Sequence, residues 1–168
     1  MAYDIAVIPG DGIGTEVVDH SAPVAETAAA AAGVSIETTR YGWGSERYLS
    51  EGEMMPEDGL DRLRTHDSIF LGAVGHPEVP DHVTLGGLRL EITKGFKQHV
   101  CERPARLFEG VDGPLGGYSG GDIDFVVYRQ NTEGEYADVG GREYRGFESE
   151  LAVQSSLFTR EGTEPVVR

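Results

Sequence analysis

The sequence predicts an α/β fold built on a parallel sheet. Short runs rich in Ile, Val and Phe, at residues 3–9, 34–41 and 68–74, are typical of strands. Between the first two runs, apolar residues from 13 to 32 recur at three- and four-residue steps, which indicates a helix that Gly33 stops. A strand, helix, strand order with short links predicts a parallel pair joined by a right-handed crossover.

Further elements continue this pattern. Two short helices are expected at residues 45–50 and 57–64, before the third strand. The segment 75–84 holds two prolines and two histidines and predicts an irregular loop, followed by a helix at 88–98. Loops in this position carry chemistry in open parallel sheets.

A change in amino-acid composition after Arg103 and Pro104 predicts a second domain. We place the division between residues 1–98, part of a larger domain, and residues 99–168, the start of a smaller one. Residues 110–121 are rich in glycine. The elements expected after them are strands at 123–128 and 147–158 and a helix capped by Thr159.

Charge and composition exclude several partners. The formal charge is −15, from 29 acidic and 14 basic side chains, which opposes binding to nucleic acid or to an anionic membrane. No uninterrupted apolar run approaches the roughly 18 residues of a membrane span, so we expect a cytoplasmic protein. Only two lysines accompany twelve arginines, and the acidic residues are dispersed, which is typical of a halophile surface rather than of one acidic patch.

The glycine turn between the first strand and the first helix has two readings. Gly10, Gly12 and Gly14 stand where backbone amides and a helix N-terminus can hold an anion. The dinucleotide fingerprint requires its third glycine at position 15, which is Thr15, although Glu37 lies at a plausible distance for a ribose contact. The pattern therefore leaves a dinucleotide turn and a purely structural turn both open.

Three motifs in order make the sequence resemble one family. IAVIPGDGIGTEV begins the chain, FLGAVGHP follows the third strand, and YRQNTEGEYADVGG lies downstream. Together they resemble the isocitrate/isopropylmalate dehydrogenase family of β-decarboxylating dehydrogenases. PDHVTLGGLRL, FKQHVCERPARLF and GDIDFVVYRQNTEGEY are most similar to its tartrate and D-malate dehydrogenase branch.

This resemblance implies an isopropylmalate dehydrogenase-like α/β fold, with a parallel-rich sheet, flanking helices and the start of a second, smaller α/β domain. It also implies oxidation and decarboxylation of a small 2-hydroxy dicarboxylic acid of the 3-isopropylmalate, D-malate or tartrate class. The expected cofactor is NAD, with NADP left open, and a Mg²⁺ or Mn²⁺ ion holds the substrate in the family.

Residues in the downstream motifs match the family's substrate site. Arg103 and Arg129 match two arginines that bind the dicarboxylate, a task for which the planar guanidinium is suited. Tyr136 matches the tyrosine that protonates the carbanion after carbon dioxide departs. The competing interpretations are surface arginines in ion pairs and an ordinary strand tyrosine.

The cofactor and the variable end of the substrate are matched in the first half of the chain. Thr84 and Leu85 match the loop that lies beside the nicotinamide, although ordinary helix capping explains Thr84 nearly as well. Ile13, Gly75 and His76 are the other candidate cofactor contacts. His76 belongs to the loop after the third strand.

The chain also departs from the family. Thr93 stands where a further substrate-binding arginine is usual, and Gln130 stands where the family has glutamate. A bulky aromatic residue of the tartrate-like loop is replaced by Gly86 or Gly87, which we expect to reshape the pocket.

The family's metal-binding aspartates, its catalytic lysine and most of its adenosine pocket correspond to sequence beyond Arg168. We therefore expect no metal ligands in this chain, and an N-terminal portion that forms a homodimer or associates with a C-terminal half. The alternatives are an inactive remnant that acts only in binding or association, and an unrelated nucleotide-binding protein that uses Gly10–Gly14 for phosphate.

Overall fold

The computed structural model describes residues 2–168, which form two compact units. Unit 1 ends at Ile92 and unit 2 is Thr93–Arg168. The elements up to the division are β1 (Ala2–Ile8), α1 (Ile13–Ala31), β2 (Ser35–Arg40), α2 (Ser45–Glu51), α3 (Gly59–Leu63), β3 (Ser68–Leu71), α4 (Asp81–Thr84) and a π-helix (Leu85–Leu90). The remaining elements are α5 (Glu91–Gly95), which crosses the division, β4 (Val100–Arg106), β5 (Asp124–Gln130), β6 (Gly134–Glu143), β7 (Leu151–Leu157) and α6 (Arg160–Val167).

Unit 1 contains the predicted parallel sheet. Its strand order is β2-β1-β3, and both pairings are parallel, with Ile5 opposite Thr38 on one side and Ser68 on the other. The last three residues of the central strand, Ala6–Ile8, are fully or almost fully buried, and β1 pairs with a neighbouring strand on each edge. The α/β class and the crossover helix are therefore confirmed.

The helix that follows the glycine turn ends as predicted. Gly33 adopts a left-handed φ of +75°, which ends α1 within a residue of the expected stop. Ten buried apolar side chains of unit 1 form its core: Ala6, Val7, Ile8, Val18, Trp43, Met54, Leu63, Val79, Leu88 and Ile92.

The segment after β3 differs from the prediction. The irregular loop ends early, because Pro80 adopts an extended conformation and α4 begins at Asp81. The helical path then widens into the π-helix and ends at Gly95 rather than at Gln98, and Lys97 beyond it takes a left-handed φ of 51°. Two adjacent glycines obscured this helical path in the sequence.

Unit 2 is built from two antiparallel pairs, β4 with β5 and β6 with β7. The strands β4 and β6 were not predicted, because Pro104 interrupts the first and consecutive glycines weaken the second. Thr159 caps α6 as predicted, since its Oγ1 accepts the Gly162 N–H at 3.0 Å. The predicted domain division at 98/99 stays a prediction, while the compact units divide after Ile92.

Across residues 2–168, no helix combines the length and the apolar character that a bilayer span requires.

Candidate active site

The strand register places two predicted substrate-binding arginines on the same face of one strand pair. In the antiparallel pair of β4 and β5, Cys101 lies opposite Arg129 and Arg103 lies opposite Val127. Side chains two residues apart on a strand share a face, and so do directly opposed residues. Arg103 and Arg129 are therefore diagonal neighbours, a relation that separates such positions by about 7–8 Å.

Arg129 is held in place by its neighbours. One terminal nitrogen, Nη2, donates to Asn131 Oδ1 at 3.0 Å, and the guanidinium carbon lies 5.8 Å from the centre of the Tyr136 ring. This approach is within the range of a cation–π contact. Its Nε–H is buried and has no acceptor among residues 2–168. A buried donor without an acceptor costs about 1–3 kcal/mol, which is a cost that a bound anion can remove.

The turn between β5 and β6 is organised by Gln130. Its side-chain oxygen accepts the backbone N–H groups of Thr132 at 3.0 Å and Glu133 at 2.8 Å, and its amide nitrogen donates to Thr132 Oγ1 at 2.9 Å. His99 Nδ1 lies 2.7 Å from the same hydroxyl. The residue that departs from the family pattern therefore supports the turn that joins Arg129 to Tyr136.

Tyr136 lies in an irregular part of β6. The register with β7 shifts between Gly134 and Val139, and Asp138 takes a left-handed φ of 54°. Such a bulge bends a strand and redirects its side chains. The half-buried Tyr136 ring is thereby brought to the Arg129 guanidinium.

The threonines at the other predicted substrate positions are buried. Thr84 Oγ1 donates to the backbone oxygen of Asp81 at 3.1 Å, a bond within the short helix α4, and its side chain makes no capping hydrogen bond. Leu85, the first residue of the π-helix, is half-buried. Thr93 is buried at the start of unit 2, where its carbonyl accepts the Gln98 N–H at 2.8 Å.

The glycine turn packs tightly against the loop after β3. A Cβ on Gly10 would lie 2.1 Å from the carbonyl oxygen of Ala73, and one on Gly14 would lie 2.6 Å from the same atom. The amides of Gly14 and Thr15 bond within the turn, to the carbonyls of Asp11 and Gly12. The cavity beside the turn has a volume of about 170 Å³, below the roughly 300–1,000 Å³ of ligand pockets. These observations favour the structural interpretation of the turn.

Asp11, which the sequence did not single out, joins three segments of unit 1. Its buried carboxylate accepts the N–H of Ser45 at 2.7 Å, the Ser45 hydroxyl at 2.6 Å and the N–H of Gly75 at 2.9 Å. Its own N–H donates to Ala73. The only signal in the sequence was an acidic residue directly after a buried strand.

Two of the candidate cofactor residues, Ile13 and Gly75, are exposed, whereas His76 and Leu85 are half-buried. Ile13 is 62% exposed, and a Cβ on Gly75 would meet no atom within 4 Å. His76 Nδ1 accepts the N–H of Glu78 at 3.1 Å, which fixes the ring beside the loop. Open surface at the carboxyl end of a parallel strand suits a dinucleotide.

A metal site is not seen among the described residues. Residues 2–168 bring together no group of three or more His, Cys, Asp or Glu side chains that could bind an ion.

Glu133 is a further site residue that sequence reasoning missed. Its carboxylate accepts the Thr159 N–H at 2.8 Å and the Thr159 hydroxyl at 2.6 Å, and these hydrogen bonds hold the pKa of Glu133 below its usual range. The acidic residue lies in the middle of the segment that connects Arg129 to Tyr136.

Fold and site together define an α/β protein with a paired-arginine face beside a tyrosine. The sequence model of the isocitrate/isopropylmalate dehydrogenase family matches residues 4–168. The chain therefore belongs to that family.

Curated relatives point to one branch of the family. A probable tartrate dehydrogenase/decarboxylase of Agrobacterium vitis is 46% identical over 167 residues, 99% of this chain and 47% of the relative. The decarboxylating D-malate dehydrogenase of Escherichia coli K12 is 47% identical over 166 residues, 98% of this chain and 46% of the relative. The chain thus spans about half the length of the curated relatives it matches.

Solved structures show the same fold. The crystal structure of isocitrate dehydrogenase from Methylococcus capsulatus superposes with a TM-score of 0.79 at 27% identity and covers 99% of this chain and 45% of that one. A β-decarboxylating dehydrogenase from Thermococcus kodakarensis superposes with a TM-score of 0.64 at 28% identity, over 99% and 43% of the two chains.

Proposed function

We propose that this chain supplies the substrate-binding face of a decarboxylating dehydrogenase that uses NAD to oxidise a small 2-hydroxy dicarboxylic acid of the D-malate or tartrate class. The observation that carries the proposal is the shared face of Arg103 and Arg129, with Tyr136 against the second guanidinium. The tartrate and D-malate names of the relatives support this substrate class.

The two arginines act in substrate binding. A dicarboxylate carries two negative charges, and two guanidinium groups on one face of the strand pair offer planar, paired donors to it. Binding orients the 2-hydroxyl carbon before any bond changes.

Tyr136 acts as the proton donor. The Arg129 guanidinium lies over the ring and holds it at the site, and a phenol placed there can give its proton to carbon. Ile13, Gly75, His76 and Leu85 would contact the cofactor. When bound, NAD accepts the hydride from the alcohol carbon. A divalent metal has no ligand set within residues 2–168, so we assign no step to it here.

Calorimetric titration tests the substrate proposal directly. We expect D-malate to bind the wild-type chain and Arg129→Met to weaken binding by about 10- to 100-fold, because a charged hydrogen-bonding pair is removed. Arg129→Lys keeps the charge but loses the planar pair of N–H donors, so its affinity for D-malate should lie between those of the wild type and Arg129→Met. Arg142→Met is the matched control, because Arg142 is exposed and forms an ion pair with Glu150 in unit 2. Equal affinity of Arg129→Met and wild type would refute the substrate proposal.

A second proposal concerns association. Phe125, Val126, Val127 and Tyr128 are all 43–56% exposed, so the β4–β5 pair presents apolar side chains on both faces. An uncovered apolar strand pair favours association. We propose that this pair is covered by a second copy of the chain or by a polypeptide equivalent to the half of the relatives that this chain does not span.

Complementation distinguishes the two partners. The chain is mixed at high salt with the C-terminal half of the D-malate dehydrogenase relative, and NADH formation is followed with NAD, Mn²⁺ and D-malate, tartrate or isopropylmalate. Turnover only in the mixture supports the split arrangement. Turnover by this chain alone would refute the need for a second half, and a monomer in both samples by light scattering would refute association.

A further inference from the structure

Glu133 links two parts of unit 2 that are distant in sequence. Its carboxylate accepts two hydrogen bonds from Thr159, the residue that caps α6, across 26 positions of sequence. Its backbone N–H is held from the other side by Gln130. The acidic residue is therefore fixed at both its main chain and its side chain.

The first turn of α6 is shaped to receive this carboxylate. A Cβ on Gly162 would lie 2.4–2.6 Å from the carboxylate atoms of Glu133, so the absence of a side chain at Gly162 makes the close approach possible. A negative group at a helix N-terminus is favoured by the helix dipole. Lys97 adds an ion pair to Glu161 at 2.6 Å in the same turn.

The fixed residue stands between Arg129 and Tyr136. The segment that joins them contains the Gln130-stabilised turn, in which Asn131 and Thr132 are buried, and then the bulge of β6. Its hydrogen bonds to the start of α6 are made by the Glu133 carboxylate. We propose that Glu133 is a positioning residue, which sets the cation–π contact between Arg129 and Tyr136 by anchoring their connecting turn on α6. The inference rests on the proposed function for its catalytic meaning, but not for its geometry.

Fluorine NMR of the full chain tests the geometry without any ligand. The seven tyrosines are replaced by 3-fluorotyrosine, and the Tyr136 resonance is assigned with Tyr136→Phe. Glu133→Gln removes the charge from the contact with Thr159, whereas Gly162→Ala retains the charge but displaces the carboxylate sterically. Glu164→Gln is the control, because it removes one charge from the same helix at a residue that pairs with Arg160 and Arg168.

We expect Glu133→Gln and Gly162→Ala both to shift the Tyr136 resonance, while Glu164→Gln leaves it in place and the tyrosines of unit 1 report an intact fold. D-malate affinity should fall about tenfold in the first two variants and NAD affinity should not change, because the substrate arginine alone is misplaced. A Tyr136 resonance unmoved by both variants overturns the inference, and so does unchanged D-malate affinity. If the wild type binds no D-malate, the proposed function fails and the fluorine spectra still decide the positioning role.

Discussion

The two units of this chain are stabilised in different ways. Among residues 2–168, ten of the eleven buried apolar side chains belong to unit 1, and unit 2 contributes Leu107. Of the 22 large apolar side chains in the same residues that remain exposed, seventeen lie in unit 2. Unit 1 therefore has a hydrophobic core, whereas unit 2 depends on strand pairing and on polar contacts such as that between Glu133 and Thr159.

The unit that has the hydrophobic core also carries most of the excess negative charge. Up to Ile92 the chain has 16 acidic and 5 basic side chains, and from Thr93 onward it has 13 and 9. The unit with the core is thus the one with strong self-repulsion, and the unit without a core is nearly balanced. Proposed substrate binding is located in unit 2, which has the smaller excess of acidic side chains.

Salt should give the largest effect. We predict that unit 1 is unfolded at low salt and folds when KCl reaches molar concentration, because salt screens the repulsion among its acidic side chains. Fluorescence of Trp43, the single tryptophan, reports on unit 1 during thermal melts. A melting temperature that is the same at low and molar KCl would exclude this prediction.

Cavity formation should separate the units next. Ile8→Ala in the fully buried end of β1 should lower the free energy of unfolding by about 2–5 kcal/mol, because it leaves a cavity in the core of unit 1. Leu151→Ala in the half-exposed β7 should change it by less than about 0.5 kcal/mol. Urea denaturation followed by circular dichroism measures both, and equal losses would contradict the comparison.

Loss of the Asp11 charge should have a smaller effect within unit 1. Asp11→Asn removes the charge that accepts three hydrogen bonds from Ser45 and Gly75, and we expect a loss of roughly 2 kcal/mol. Asp19→Asn, which breaks an exposed ion pair with Arg40, should cost less than about 1 kcal/mol. Urea denaturation monitored through Trp43 compares the two, and the prediction fails if Asp19→Asn is the more damaging.

Acidification should have the smallest effect on stability, and this effect should be seen in unit 2. Hydrogen bonds from Thr159 lower the pKa of Glu133, and the hydrogen bond and charge of Lys97 lower the pKa of Glu161. A carboxyl group whose pKa is lower in the folded state than its usual value of 4.5 stabilises the fold at pH values above 4.5. This stabilisation is lost as the pH falls through the folded-state pKa.

We therefore expect the hydrogen-exchange rates of the α6 amides in the wild type, corrected for intrinsic rates, to increase as the pH is lowered from 6 to 3, because the helix opens more often. Glu133→Gln removes one of the two titrations and should flatten that dependence. A wild type and a Glu133→Gln variant with the same pH profile would show that this carboxylate does not stabilise α6.

Sequence patterns predicted unit 1 better than unit 2 for a physical reason. The strand β1 and helix α1 are built on regular apolar spacing, and Gly33 ends the helix by its own backbone freedom, so local signals were sufficient. The strand β4 contains Pro104 and no apolar alternation, so its pairing with β5 is set by tertiary contacts that the sequence does not display.

The candidate site shows the same division. Motifs identified Arg103, Arg129 and Tyr136 as candidates, and their roles remain proposals. The contacts of Asp11 and Glu133 could not be predicted, because each carboxylate meets partners 26 to 64 positions away in the sequence. Spacing along a chain carries information about neighbours on one helix or strand, but not about such distant acceptors and donors.

In the π-helix Leu85–Leu90, the number of residues in the turn determines the direction in which the adjacent side chains point. A π-helix contains one more residue than the α-helical turn it replaces, and each residue of an α-helix advances the azimuth by about 100°. Removing Gly86 would tighten this turn and rotate Thr84 and Leu85 relative to Ile92, without altering any of those side chains. In this segment, the length of the chain governs which groups face the neighbouring loop.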